Sequence, residues 1–107
     1  MESDCVTVWT TIGSTSDGHD LAATLVNERL AACVNVLGEM ESVYRWKGQV
    51  ETDRERQLIM KTTAARVPAL RARLHELHDY EVPEFIVLPI IGGSDAYLRW
   101  IRESASG

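Results

Sequence analysis

Residues 41–57, ESVYRWKGQVETDRERQ, constrain this chain more than any other segment. Val43, Tyr44 and Trp46 read as extended chain, Lys47-Gly48 marks a reversal, and a return strand carries Glu51, Asp53, Arg54, Glu55 and Arg56. A two-stranded ribbon of this kind is not stable alone in water. Its residues mix charge with aromatics and supply no core of their own. The segment must therefore lean on a surface outside its own domain core.

The rest of the chain has to build that domain from few residues. The sequence holds 107 residues, 45% of them hydrophobic, which suffices for one core and not for two. We read residues 1–107 as a single domain. CVTVWTT at 5–11 alternates β-branched residues and predicts a strand. Gly13-Ser14-Thr15-Ser16 ends it and offers capping hydroxyls. Leu21, Ala22, Leu25, Val26 and Leu30 recur at helical spacing. Residues 31–36 predict a second strand, and Gln49 to Thr62 a third that becomes purely apolar at Leu58-Ile59-Met60. Val67, Leu70, Leu74 and Leu77 mark a second helix over roughly 66–78, with Pro68 in its first turn. Phe85–Ile90 is nearly all apolar and predicts a fourth strand, central in the sheet. Gly92-Gly93 turns the chain, and Ser94 or Asp95 caps a short last helix.

The order is βαββαβ plus a terminal helix. It predicts an α+β, ferredoxin-like sandwich with an extended hairpin between its second and third strands. Each crossover carries a helix, as parallel neighbouring strands require. Both helices should cover one sheet face. The other face then exposes an apolar surface of the kind that marks an oligomer interface.

Charge narrows the partners. Eleven basic and sixteen acidic residues leave a net charge of −5. The acids Glu51, Asp53, Glu55, Glu81 and Glu84 face no matching basic run, which disfavours nucleic acid and anionic membrane as partners. Nothing approaches the roughly 18–20 apolar residues of a membrane span. The acidic start Met1-Glu2-Ser3-Asp4 is unlike a secretory signal, so a cytoplasmic location is the expectation. Two cysteines, Cys5 and Cys33, make no disulfide framework or Cys-x-x-Cys motif.

LAACVNV at 30–36, SVYRWKG at 42–48, the segment from Glu55 to Lys61-Thr62, LHDYEVPEFIVLPI at 77–90 and YLRWI at 97–101 stand in order along the chain. With these blocks the sequence resembles the CutA family, small proteins linked by name to divalent-cation tolerance. The likeness covers about residues 5–104. It implies a ferredoxin-like fold and a homotrimer whose long hairpins reach across to neighbouring copies. Tyr44, Trp46 and Trp100 suit interface anchors, or else a platform on which a ligand stacks. One departure is visible. The family usually has His-Pro-Tyr where this chain has His78-Asp79-Tyr80.

Three sets of residues are candidates for chemistry. His78, beside Asp79, Glu81 and Glu84, suits zinc or copper(II), or else caps a helix C-terminus. Cys33 suits copper(I) as a thiolate, or else fills the core of an apolar strand. Cys5, near a terminus, is read as structural. The resemblance brings Glu55, Lys61, Tyr80 and Glu81 around a cleft between subunits. They suit a small ligand there, or an ion pair that fixes register. No nucleophile elbow, phosphate loop or zinc-protease motif occurs. The expected function is weak, non-enzymatic binding of a divalent metal, copper or zinc, by a homotrimer in metal tolerance. The alternative is a module like the nitrogen-signalling PII proteins, binding a small molecule or protein at subunit clefts; that likeness is one of fold.

Overall fold

Alternation on the first strand separates the two faces of the sheet. The computed structural model describes residues 4–107; the acidic start at 1–3 lies outside them. In β1, Cys5–Gly13, the side chains of Val6, Val8, Thr10 and Ile12 are buried on one face. Chain order then runs α1 Gly18–Asn27, β2 Cys33–Trp46, β3 Gln49–Thr63, a 3-10 turn at Ala64–Arg66, α2 Val67–Leu77, β4 Ile86–Pro89 and α3 Asp95–Ser104. Helices α1 and α2 cover the same face. Leu25, Leu70 and Leu74 pack there against Val6, Val8 and Met60. Truncating one such leucine to alanine costs about 2–5 kcal/mol.

The sheet order is β2-β3-β1-β4, and every hydrogen-bonded pair is antiparallel. The expectation of parallel neighbours is corrected. Each helical crossover joins two strands that have a third strand inserted between them. The last strand is corrected too. It spans Ile86–Pro89 and lies at the sheet edge, paired with β1 alone and exposed along its length. An apolar run does not distinguish a central strand from an edge that leaves both faces bare.

The helix ends differ from the sequence pattern as well. Asp17, not a serine, caps α1, its carboxylate accepting from the Asp20 amide at 2.9 Å. That amide holds the Asp17 carboxyl below the usual range. The helix stops at Asn27 rather than Leu30, and Arg29 takes a left-handed φ of 60°. From there its guanidinium donates to the carbonyls of Glu103 and Ser106 at 2.6 and 2.7 Å. This ties down the end of α3, which lies on the sheet face opposite α1 and α2. Cys5, Ala32, Ile101 and Ala105 form the small core beneath it. Cys5 is thus fully buried, whereas Cys33, expected in the core, is only half-buried.

Strands β2 and β3 form one long ribbon, and it gives the molecule its 44 × 26 × 24 Å shape. Lys47 and Gly48 turn it with φ of 49° and 79°, the left-handed pair of a two-residue hairpin turn. The second strand does not end at 36 as predicted; Leu37-Gly38 is a bulge inside a continuous strand. Val36 faces Leu58, but Glu39 faces Arg56, so β2 gains one residue on β3.

Gly18 opens α1 where the helix meets the sheet. A Cβ there would lie 2.9 Å from Val36 Cγ1 and 3.2 Å from Ile12 Cδ1. Gly18→Ala gains at most about 1 kcal/mol of helix propensity, while overpacking costs about 1–3 kcal/mol. The expected outcome is a net loss of stability by urea denaturation; an unchanged or raised midpoint would show that Val36 yields freely.

Candidate functional site

The bulge decides which residues of the ribbon face the same way. Before it, Val34 and Val36 share the helix-covered face with Leu58 and Met60. After it, Met40 pairs with Glu55, Ser42 with Asp53, Tyr44 with Glu51 and Trp46 with Gln49. The even residues of β2 have changed faces. Met40, Ser42, Tyr44 and Trp46 accordingly line a cavity of about 910 Å³ together with Asp53, Glu55 and Gln57. Its opposite wall is the 79–84 loop, with Asp79, Tyr80, Glu81 and Glu84.

Two carboxylate–phenol pairs organise this cleft. Tyr80 donates its hydroxyl to Glu55 Oε2 at 2.7 Å, and Glu55 is only 7% exposed. Burial, and then the Glu55 carboxylate, hold the Tyr80 phenol well above the ordinary tyrosine range. Nearer the tip, Tyr44 donates to Asp53. That hydrogen bond is the main reason its phenol is pushed up to about 12. Gln57 Nε2 donates to the Thr10 carbonyl at 2.7 Å and to Glu84 Oε2 at 2.8 Å, fastening the far end of the loop. Lys47 reaches Glu81 at 3.6 Å across the rim, but both side chains are 71% exposed and the pair contributes little.

The sequence-derived candidates divide. Glu55, Tyr80 and Glu81 do meet around one cleft. Lys61 does not join them within one copy. It faces Thr7 while Glu55 faces Gly13, six residues and about 20 Å along β3. The Lys61 ammonium lies instead 3.4 Å from the Tyr97 hydroxyl. Trp46 lines the cleft, and Trp100 stacks on Tyr97 with centroids 5.3 Å apart. Tyr44, Trp46 and Trp100 each remain partly exposed.

His78 is the C-terminal cap residue of α2, its amide donating to the Leu74 carbonyl at 2.8 Å, and its ring is not an open ligand. Its side chain is fully buried, with Nε2 2.6 Å from the Thr11 carbonyl and Nδ1 3.1 Å from the Tyr80 amide. A carbonyl only accepts and an amide N–H only donates. The ring is therefore the neutral tautomer protonated on Nε2. No lone pair is left for a metal. Cys33 faces Lys61, which faces Thr7, four residues along β1 from Thr11, so it does not meet His78. Among the described residues, no three His, Cys, Asp or Glu side chains converge on one point. Within one copy the engaged ring of His78 offers no ligand to a metal ion, and Cys33 stands apart from it.

Sequence reasoning missed Asp53 and Gln57 as residues that line the cleft beside Glu55. Their signal was present: positions 53, 55 and 57 of a strand share one face.

The chain belongs to the CutA1 divalent ion tolerance protein family, whose model matches residues 6–104. It is 44% identical to Protein CutA, chloroplastic, of Arabidopsis thaliana over 99 residues, 92% of this chain and 54% of that protein. It is 46% identical to the divalent-cation tolerance protein CutA of Thermus thermophilus over 94 residues, 88% of this chain and 91% of that one. The chain thus spans about half the length of the plant relative and most of the bacterial one. The crystal structure of CutA1 from Oryza sativa superimposes with a TM-score of 0.92 at 41% identity, covering 98% of this chain and 96% of that one. No helix among the described residues is long and apolar enough to cross a membrane.

The Tyr80–Glu55 pair makes a signed pH prediction. A phenol in the unfolded chain ionises near pH 10. The folded value of Tyr80 is raised above that, so the pair's stabilisation is complete below about pH 10 and declines as pH rises beyond it. Tyr80→Phe leaves a buried carboxylate short of a donor and should cost about 1–3 kcal/mol at neutral pH. Denaturant melts from neutral to alkaline pH should show the wild type losing stability more steeply than Tyr80→Phe. Parallel curves would mean that Tyr80 ionises as readily folded as unfolded.

Proposed function

We propose that this chain acts in divalent-cation tolerance as a non-catalytic homotrimer of ferredoxin-like subunits that takes up cations weakly at the cleft beneath its hairpin. The observation that carries the reading is the charge of that cleft. Its lining includes Asp53, Glu55 and Glu84, and the guanidinium of its one basic residue, Arg54, is held by Glu39 at 2.6 Å. The cation is cargo rather than a resident cofactor. Carboxylate oxygens give copper(II) precedence over zinc by the Irving–Williams order, and the lack of a convergent ligand set keeps affinity low. A non-catalytic role is supported by the phenols. Tyr44 and Tyr80 are held protonated by the carboxylates beside them, so neither offers a base near neutral pH. A cytoplasmic setting suits the thiols of Cys5 and Cys33, neither of which forms a disulfide.

Assembly is supported by what one copy leaves bare. Ile86, Val87 and Leu88 are exposed on an edge strand, Ile91 is 86% exposed, and Tyr44, Trp46, Tyr97 and Trp100 are partly exposed. An apolar edge of this kind invites another chain. A second reading is favoured by the cavity's size. About 910 Å³ exceeds what a bare ion fills and matches a small organic molecule. On that reading the trimer is a PII-like regulatory module that binds such a molecule between its aromatic rings.

Sedimentation at micromolar concentration should give three times the 12.0 kDa chain mass. Trp46→Ala should weaken the trimer by about 2 kcal/mol. A 12.0 kDa species would remove the assembly from the proposal. Calorimetric titration with copper(II) and then zinc should show weak uptake that falls severalfold in Glu55→Gln. Uptake unaffected by that change would locate the cations elsewhere, and a thermal shift with small cationic organic molecules but not with metals would favour the second reading.

A further inference from the structure

The His78 ring bridges β1 and the start of the 79–84 loop. The 79–84 loop is fastened at its start by two hydrogen bonds of Tyr80, from its amide to the His78 Nδ1 at 3.1 Å and from its hydroxyl to Glu55 Oε2 at 2.7 Å. His78 is the side chain type that titrates across the neutral range. Its Nε2 proton is already committed to Thr11, so a second proton must go to Nδ1. That proton would point at the Tyr80 N–H, donor against donor, and the bond cannot survive. A replacement acceptor stands ready: Asp79 Oδ1 lies 3.6 Å from Nδ1 on a side chain that is 76% exposed and free to move closer.

Other groups stand around the ring. Asp17, at the start of α1, lines a small cavity of about 220 Å³ with His78 and Asp79. The Tyr80 ring packs against the imidazole with centroids 4.6 Å apart. On α2 itself, His75 and Glu76 are exposed. We infer that protonation of His78 exchanges its bond to the Tyr80 amide for one to Asp79 and so frees the backbone at the start of the 79–84 loop, which then hangs on the Tyr80 hydroxyl and Glu55. Tyr80 and Glu81 belong to that segment, and the same proton therefore loosens one wall of the cleft. The inference holds whatever the cleft binds, because its test reads an imidazole and an amide and no ligand.

The test is amide hydrogen exchange on the intact protein, from about pH 7.5 to about pH 5.5, with the His78 ring followed by NMR in the same samples. After correction for intrinsic exchange, Tyr80 should exchange roughly tenfold faster once the ring is protonated. The two midpoints should coincide. Asp79→Asn, at an exposed position that leaves the fold intact, should move both midpoints to lower pH. A protonated ring with Tyr80 still protected would overturn the inference. So would a ring that stays neutral throughout, or midpoints that Asp79→Asn leaves in place.

Discussion

One extra residue in β2 sets the geometry on which the rest of the ribbon depends. Side chains on a strand alternate with a period of two, so a single inserted residue sends every later side chain to the opposite face. Up to Val36, the even residues of β2 belong to the core under α1 and α2. From Met40 onward they face away from it. Without the bulge at Leu37-Gly38, the cleft would be lined from this strand by Glu41, Val43 and Arg45 in place of Ser42, Tyr44 and Trp46. Tyr44 could not then reach Asp53. The apolar requirement of the core and the polar requirement of the cleft are both met by one strand because the bulge separates them.

The carboxylates of the cleft differ sharply in what they contribute. Glu55 is buried, and the removal of its donor would leave a charge without water or partner. Asp53 and Tyr44 sit on the exposed part of the ribbon, where water competes for each of them. Glu81 pairs with Lys47 in open solvent. The inner end of the cleft is thus rigidly paired and the outer end is soft. Gln57 and His78 complete the rigid end. Each bonds a carbonyl of β1, at Thr10 and Thr11, and each holds one end of the 79–84 loop.

How much of this was legible in the sequence follows from which forces act locally. The Lys47-Gly48 turn, the two amphipathic helices and the position of the last helix come from short-range patterns, and they appear where the patterns place them. The strand order does not. An apolar run at 85–90 states that both faces avoid water, and says nothing of whether protein in the same copy covers them. The depth of the two cysteines was hidden for a similar reason. Cys5 is buried because α3 returns to cover it, a contact about ninety residues away in the chain. Glu55, Tyr80 and Glu81 were grouped through family resemblance and meet within one copy, whereas Lys61, grouped by the same route around a cleft between subunits, stands apart from them within one copy. The state of His78 was out of reach, because both of its partners are backbone groups and backbone groups leave no mark in the residue pattern.

The exposed edge and the long ribbon belong to one physical problem. A 107-residue domain must secure its stability from a small core, and the outer half of β2 and β3 adds ordered residues without adding to that core. Val43 and Val50 remain more than 60% exposed there. Ordering such a ribbon costs backbone entropy that its cross-strand pairs offset only in part. The edge strand β4 adds a second unfavourable term, an apolar face and an unmatched row of amides and carbonyls. Neither feature can be relieved by a better internal core, because both point away from it. Contact with another copy would relieve both at once, covering the edge while ordering the ribbon. The cleft lies at the base of that ribbon, so the same contact would also fix its shape.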